Sequence, residues 1–184
     1  MTPAADCLRI ALATEADLPA LAAFYDDMIA ATAGTDNDPM WVRGVHPSQA
    51  ELADAVAAGE LLVGWLAEGE RERLASALVV NNETLPGHEK VSWRVAAAPD
   101  EVAVIHLLAV HPDFAGRGIA RRMLAAAHDL ARQRGARVMR LEVLVSNKGP
   151  QRLYEKVGYT NLGYAKLASK DPRVTDFVMF ELQL

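Results

Sequence analysis

This chain of 184 residues contains one cysteine, Cys7, and few aromatic residues, which make up 6% of the sequence. A single cysteine cannot form an internal disulfide bond, so a reducing compartment is expected. The sequence has no run of eighteen apolar residues and lacks the basic start and apolar stretch of a signal peptide. These absences predict a cytoplasmic protein that has no membrane partner.

Positive charge is also scarce, because 19 Lys and Arg residues against 24 Asp and Glu residues give a net charge of −5. Proteins that bind nucleic acid usually present a basic face, so no nucleic-acid partner is expected. The chain is 51% hydrophobic, which is ordinary for a globular protein. Its length predicts a single domain over residues 1–184 that buries a substantial core.

The order of hydrophobic segments predicts a mixed α/β fold rather than a regular repeat of strand, helix and strand. Thr14 with Asp17, and Ser48 with Glu51, have the spacing of capping boxes, so a helix is expected after each pair. Further helices are predicted from Gly118 and over residues 150–157. Strands are predicted over residues 8–12, 61–67, 74–80, 91–95, 102–110, 137–145, 159–167 and 173–182.

The most informative segment is the turn Gly116-Arg117-Gly118 between a buried strand and an amphipathic helix. Backbone N–H groups at a helix N-terminus, together with the helix dipole, favour an anion such as a phosphate. The chain has no Gly-Lys-Ser/Thr of a P-loop, and Arg121 stands where a dinucleotide-binding turn would have its third glycine. Both nucleotide interpretations are therefore weakened, and a simple connection is the alternative to a phosphate site.

Residues 110–120, Val-His-Pro-Asp-Phe-Ala-Gly-Arg-Gly-Ile-Ala, resemble the pyrophosphate loop of the GNAT superfamily of N-acetyltransferases, whose pattern is Arg/Gln-x-x-Gly-x-Gly/Ala. Gly118 and Ala120 match the last two fixed positions, whereas Ala115 stands where Arg or Gln is usual. Residues 141–159 are similar to the family's second signature, in which a strand ends at an Asn and a short helix carries a Tyr. The resemblance covers about residues 102–159.

This resemblance implies a GNAT fold, with a largely antiparallel twisted sheet, helices on both faces and a central strand pair that splays apart. It implies an N-acetyltransferase that moves an acetyl group from acetyl-CoA to the primary amine of a small molecule or peptide by direct attack, without a metal. Cys7 lies far from both signatures, which disfavours a cysteine-linked intermediate. A catalytically silent acyl-CoA-binding sensor is the alternative function, and a homodimer stays open.

The resemblance also implies which groups hold acetyl-CoA. The strand Leu108-Ala109-Val110 would align the pantetheine arm through its backbone, and Asn147 would bind a pantetheine amide unless it is only a turn residue. Arg117 or Arg121 would add a charge-assisted contact unless both are solvated helix residues. The N–H donors to the pyrophosphate would come from Ala115, Gly116, Arg117, Gly118, Ile119 and Ala120.

Catalysis would need an acid and a base. By the same resemblance, Tyr154 would protonate the departing CoA thiolate, with aromatic packing as its structural alternative. An acceptor ammonium must lose a proton before attack, since primary amines titrate near pH 10. His106, inside an apolar strand, is the predicted base, and a buried core histidine is an equal alternative. Glu83, Glu101, Glu142 and a water chain are the other candidates.

The acceptor site is expected between the first two helices and the sheet, again by resemblance. Asp36, Asp38, Trp41 and His46 lie in the connection between those helices. Acidic groups beside an aromatic ring attract a cationic amine. A solvated loop with one anchoring tryptophan explains the same residues equally well.

Overall fold

A computed structural model describes residues 7–169 and 171–184 of the chain, and these residues form seven strands and four α-helices. The strands are β1 (Leu8–Leu12), β2 (Leu61–Glu68), β3 (Arg71–Asn81), β4 (Val102–Val110), β5 (Val138–Leu144), β6 (Thr160–Lys166) and β7 (Asp176–Gln183). The helices are α1 (Leu18–Thr32), α2 (Gln49–Ala57), α3 (Ile119–Gln133) and α4 (Lys148–Lys156).

Both predicted capping boxes are present. The carboxylate of Asp17 accepts the backbone N–H of Thr14 at 2.8 Å, and a short 3-10 turn then leads into α1. The Ser48 hydroxyl accepts the N–H of Glu51 at 3.2 Å, and the Glu51 carboxylate accepts the N–H of Ser48 at 2.7 Å. Each box satisfies backbone donors that a helix start would leave unpaired, which explains why α1 and α2 begin where the sequence predicts.

The strands form one sheet in the order β1-β2-β3-β4-β5-β7-β6. Neighbours β1–β2, β2–β3, β5–β7 and β6–β7 are antiparallel, whereas β4 and β5 run parallel. The mixed α/β class and the largely antiparallel sheet are therefore confirmed. The register of β4 with β5 covers only three residue pairs, from Val102 with Val138 to Val104 with Arg140.

The described chain divides into two compact units, of which the first contains residues 7–31, 41–79 and 106–127. Its core lies between α1, α2 and the strands β2 and β3, because each of these elements turns an apolar face inward. The largest contributions from α1 are Leu21, Phe24 and Tyr25, all no more than 3% exposed.

A glycine in β2 lets α3 approach the sheet closely in this first unit. A Cβ at Gly64 would lie 3.0 Å from the sulfur of Met123 on α3 and 3.3 Å from a methyl carbon of Leu8. Both distances are shorter than ordinary van der Waals contact. The absence of a side chain at Gly64 therefore allows α3 to pack close to β2.

The second unit contains residues 32–40, 80–105, 128–169 and 171–184. Two apolar clusters stabilise it: Val102 and Val104 pack with Val138, while Leu167 and Phe177 belong to a larger group around Met179. The long connection from β3 to β4 contributes Leu85, Val91 and Trp93 to that larger group.

The predicted strand over residues 91–95 is wrong, since this segment is irregular. The carboxylate of Glu181 accepts the N–H groups of Arg94 and Val95 at 3.0 and 3.1 Å. The carbonyl of Val95 in turn accepts a hydrogen bond from the guanidinium of Arg140 at 2.8 Å. Side chains therefore satisfy the backbone groups that a neighbouring strand would otherwise pair.

Candidate functional site

The turn before α3 presents backbone donors in the first unit. Gly116, Gly118, Ile119 and Ala120 have N–H groups without an acceptor among the described residues. The N–H of Ala115 differs, because it donates to the carbonyl of Pro112 at 3.0 Å. The preceding 3-10 turn thus already uses the N–H of Ala115, which is one of the predicted donors to pyrophosphate. The remaining groups suit an anion at the positive end of the helix dipole.

Both glycines of this turn have backbone conformations that other residues rarely adopt. Gly116 has φ of 79° and Gly118 has φ of 73°. No heavy atom lies within 4 Å of the Cβ position at either residue. The left-handed backbone conformation therefore explains why glycine occupies both positions. The open space at each Cβ position leaves room for a ligand to approach the N–H groups.

The arginines near the turn have different surroundings. The guanidinium carbon of Arg117 lies 5.4 Å from the ring centroid of Phe114, so its side chain covers an aromatic face. Arg122 donates to the carbonyl of Leu8 at 2.9 Å. Arg121 is exposed and has no bonding partner in the part of the chain that the structure describes. Of the two arginines predicted to contact the pyrophosphate, Arg121 is therefore the one whose side chain is not already held by another described residue.

Strand β4 changes its backbone conformation near its end. Leu107 has φ of 56°, which is strained for a residue with a branched side chain. The hydroxyl of Tyr25 donates to the Leu107 carbonyl at 2.8 Å, and burial raises the pKa of that phenol. The neutral phenol of Tyr25 therefore stabilises the unusual direction of the Leu107 carbonyl by donating a hydrogen bond to it. His106, the predicted base, is half-buried immediately before this residue.

The last residues of β4 direct their backbone groups to two different edges. The carbonyl of Ala109 accepts the Ser76 hydroxyl at 2.6 Å, and the N–H of His111 donates to the carbonyl of Ala75 at 2.9 Å. Since neighbouring residues of a strand alternate, Leu108 and Val110 direct their backbone groups to the opposite edge. Among the three predicted backbone ligands, Ala109 is thus the one whose carbonyl is already engaged.

Asn147 lies in the second unit, between β5 and α4. The residue is 7% exposed, and its Oδ1 atom is buried without a hydrogen-bond partner among the described residues. Its backbone N–H donates to the carbonyl of Leu144, as in a turn. A turn role does not require an unpaired buried amide oxygen, which is a costly feature unless a ligand satisfies it.

Tyr154 on α4 is 5% exposed and packs against two aromatic rings. Its ring centroid lies 5.3 Å from that of Tyr159 and 5.8 Å from that of Phe180. Its hydroxyl makes no hydrogen bond among the described residues. Burial, and secondly the charge of Glu142, raise the pKa of Tyr154, so the phenol keeps its proton at neutral pH.

A buried acid–base pair was missed in the sequence. The Nε2 atom of His88 lies 3.0 Å from a carboxylate oxygen of Glu142, and the two side chains are only 4% and 9% exposed. Sequence reasoning names Glu142 only among the other candidate bases and does not single out His88, because the two residues lie 54 positions apart. The sequence signal that could have indicated His88 is its position directly after the Pro86-Gly87 turn and close to Trp93.

The other carboxylate candidates are occupied or exposed. Glu101 accepts the N–H of Ala98 at 2.9 Å and pairs with Arg137 at 3.3 Å, and the bond from Ala98, followed by the one from Arg137, lowers the pKa of Glu101. Glu83 is an exposed loop residue. Neither carboxylate therefore has the surroundings expected of a general base.

The residues predicted to attract the acceptor largely hold local structure. The carboxylate of Asp38 accepts the N–H groups of Gly34 and Met40, both at 2.7 Å. The ring of Trp41 lies 5.6 Å from that of Tyr25, and His46 lies 3.2 Å from the carboxylate of Glu51. This pattern fits the alternative of a loop with an anchoring tryptophan.

No cluster of three or more His, Cys, Asp and Glu side chains in residues 7–169 and 171–184 is arranged to hold a metal ion. In the same residues, no helix combines the length and the apolar character needed to cross a membrane.

Comparison with known families gives a match over most of the chain. The model of the acetyltransferase (GNAT) family matches residues 45–159. The chain is 44% identical over 68 residues to an uncharacterized N-acetyltransferase of Methanocaldococcus jannaschii, which is 37% of this chain and 30% of that protein. It is 36% identical over 80 residues to N-alpha-acetyltransferase RimI of Mycobacterium tuberculosis, which is 44% of this chain and 48% of that protein. The matches span less than half of these relatives.

Solved structures resemble nearly the whole fold. The structure of yncA from Salmonella typhimurium with its cofactor acetyl-CoA superposes with a TM-score of 0.64 at 23% identity, covering 96% of this chain and 94% of the other. A GNAT-family acetyltransferase from Streptococcus agalactiae reaches a TM-score of 0.71 at 19% identity, covering 96% and 95%. A ribosomal-protein-alanine N-acetyltransferase from Brucella melitensis has a TM-score of 0.65 at 25% identity, covering 96% and 99%.

Proposed function

Because the chain belongs to the GNAT family of acetyltransferases, we propose that it transfers an acetyl group from acetyl-CoA to a primary amine. The observation that carries this proposal is the group of N–H donors of Gly116, Gly118, Ile119 and Ala120, which have no acceptor among the described residues at the start of α3. A pyrophosphate would satisfy these donors and gain from the helix dipole. Arg121 would add a charge-assisted contact from the first turn.

The pantetheine arm carries two amides, and the chain offers partners for them. We assign one to the backbone of Leu108 and Val110, which direct their groups away from β3. The second is assigned to Asn147, because a pantetheine amide N–H would satisfy its buried Oδ1 atom. Ala109 would contribute through packing, as its carbonyl already accepts the Ser76 hydroxyl.

In the proposed reaction, the amine nitrogen bonds to the acetyl carbon while the bond from that carbon to sulfur breaks. Tyr154 would donate its phenolic proton to the departing thiolate, the newly bonded nitrogen would release its excess proton to water, and water would return a proton to the phenol. Attack would be direct, because Cys7, the one cysteine of the sequence, is exposed and precedes β1. We expect Cys7→Ala to retain turnover in a thiol-release assay, and a folded but inactive variant would contradict direct attack.

For the proton of the acceptor ammonium, we propose Glu142. Its carboxylate is nearly buried, has a defined partner and influences the titration of Tyr154. His106 is the alternative acceptor of this proton. It directly precedes the strained Leu107 and is therefore near the backbone groups proposed to bind pantetheine.

An amine panel tests the proposed function directly. The panel should contain small primary amines and short peptides with a free α-amino group, since one relative is named an N-alpha-acetyltransferase. CoA release would be followed by thiol detection, and acetyl-CoA binding by calorimetry. We expect tight binding and amine-dependent release. Binding without release from any amine would instead favour a silent acyl-CoA sensor.

A further inference from the structure

Resting on the proposed function, we propose that His88 is a positioning residue, which donates its Nε2–H to Glu142 and holds that carboxylate ionised as the acceptor of the amine proton. The imidazole itself would not take the proton. Three features of the second unit support this role: the way His88 is fixed, the state of its other nitrogen, and the surroundings of Glu142.

The irregular connection from β3 to β4 fixes the position of His88. The indole N–H of Trp93 donates to the His88 carbonyl at 2.9 Å, and the two rings lie 5.3 Å apart. Gly87, with φ of 111°, precedes His88, and a Cβ there would lie 3.1 Å from the carbonyl oxygen of Lys166. The loop therefore contacts the chain on both sides of the histidine, which limits the directions in which its ring can point.

The second ring nitrogen determines which protonation state of His88 is favourable. Its Nδ1 atom is buried and has no hydrogen-bond partner among the described residues. An imidazolium would bury a charged N–H donor at Nδ1 without an acceptor, which is a large penalty. The neutral form with its proton on Nε2 leaves only an unpaired lone pair. This form donates to Glu142 and favours the ionised carboxylate.

The charged neighbours leave Glu142 available to accept a proton. On the same strand, the guanidinium of Arg140 pairs with Glu181 at 3.2 Å and covers the ring of Trp93 at 4.3 Å. Beside His88, the Glu89 carboxylate accepts the N–H of Gly87, and Lys90 is exposed. Among the described residues, His88 is thus the one hydrogen-bond partner found for the Glu142 carboxylate.

The base and the acid lie on opposite faces of the β5–β7 pair. Glu142 is opposite Met179 in the register, whereas the ring of Tyr154 contacts Phe180. Adjacent strand residues point to opposite faces. The two groups are nevertheless within electrostatic reach of each other, because burial and then the charge of Glu142 raise the pKa of Tyr154.

Two substitutions at His88 separate a donor from a proton acceptor. In H88Q the amide nitrogen reaches the place of Nε2 and can donate to Glu142, whereas in H88N it reaches only the place of Nδ1. We expect H88Q to keep kcat within a few-fold, and H88N to lower it by roughly 10- to 100-fold. The KM for acetyl-CoA should stay nearly constant in both variants. In H88N the acidic limb of kcat/KM should move to higher pH, because Glu142 loses a bond to its ionised form.

If H88Q and H88N lose activity equally while both fold, the positioning role is wrong and the imidazole is itself the proton acceptor or only a structural residue. Circular dichroism and thermal unfolding would establish that both variants fold. A wild-type protein that releases no CoA with any amine would instead overturn the proposed function, and with it the catalytic part of this inference.

A measurement on the unmodified protein does not depend on turnover or on variant folding. Long-range nitrogen-15 NMR reports which ring nitrogen of each histidine carries a proton, and the signal absent from H88Q belongs to His88. We expect the proton of the neutral ring to be on Nε2. A neutral ring with its proton on Nδ1 would overturn the proposal.

Discussion

Tyr154 combines a buried ring with a hydroxyl that is not hydrogen-bonded within the described chain, and these properties together restrict its role. Packing against Tyr159 and Phe180 needs only the ring. Since burial raises the pKa of the phenol, the hydroxyl remains a neutral proton donor over the physiological range. The ring and the hydroxyl can therefore be tested separately.

Tyr154→Phe should lower the single-turnover rate by roughly 10²- to 10⁴-fold, the usual contribution of general acid catalysis. Acetyl-CoA affinity should change little, because the ring stays and backbone groups would hold the cofactor. Tyr164→Phe provides the control, since Tyr164 is 77% exposed on β6. A Tyr154→Phe variant with the wild-type single-turnover rate would leave Tyr154 as a packing residue.

The two candidate bases can be distinguished by pH. Glu142→Gln should reduce the rate at pH 7 by about 10²- to 10⁴-fold and recover in part at pH 9, where more of the amine is already neutral. His106→Gln should reduce it by a similar factor at both pH values, through packing alone. Rate profiles from pH 6 to pH 9.5 would show the reverse order if His106 accepts the proton.

At the scale of the element, α3 has a left-handed glycine at each end, and only one of them adjoins the proposed pyrophosphate site. Gly118 has φ of 73° and Gly135 has φ of 87°, with no heavy atom within 4 Å of either Cβ position. An alanine would therefore meet similar backbone strain and no clash with the chain at both ends.

Gly118→Ala and Gly135→Ala should each lower the free energy of unfolding by about 1 kcal/mol, because alanine tolerates positive φ poorly. Only Gly118→Ala should weaken acetyl-CoA binding, by about tenfold or more, or at least 1.4 kcal/mol. Denaturant unfolding and calorimetry would measure the two effects. Equal affinities in the two variants would remove this turn from the binding site.

Local chemistry explains which elements could be predicted. The capping box at Ser48 and the glycine turn before α3 depend on residues a few positions apart, so the sequence contains the whole interaction. The segment 91–95 has strand-like residues, but Glu181, far along the chain, accepts its N–H groups and prevents a regular strand. The pairing of His88 with Glu142 likewise depends on the folded chain.

At the scale of the whole molecule, the buried tyrosines make the free energy of unfolding depend on pH in the alkaline range. Burial raises the pKa of Tyr25, Tyr154 and Tyr159 above the ordinary value near 10. In the unfolded chain these phenols ionise above pH 10, while the folded chain keeps them protonated. The folded state then binds more protons, so its stability is fully present below pH 10 and falls as the pH rises further.

Denaturant unfolding should therefore show a free energy that declines above pH 10, by at most about 1.4 kcal/mol per pH unit for each of the three tyrosines. Tyr154→Phe should make this decline less steep. The predicted single domain also requires one cooperative transition, with fluorescence and circular dichroism coinciding. A decline that is unchanged in the variant would mean that other groups cause it.

Gly64 gives protein engineers a position from which to adjust the proposed cofactor site without altering any residue that would contact the cofactor. Helix α3, which follows the turn Gly116-Arg117-Gly118, contacts this glycine through Met123, whose sulfur lies 3.0 Å from the position that a Cβ methyl group would take. Replacing Gly64 by alanine would displace Met123 or raise the helix slightly, and shortening Met123 to leucine or valine would compensate. The two positions should therefore tolerate substitution together more readily than singly.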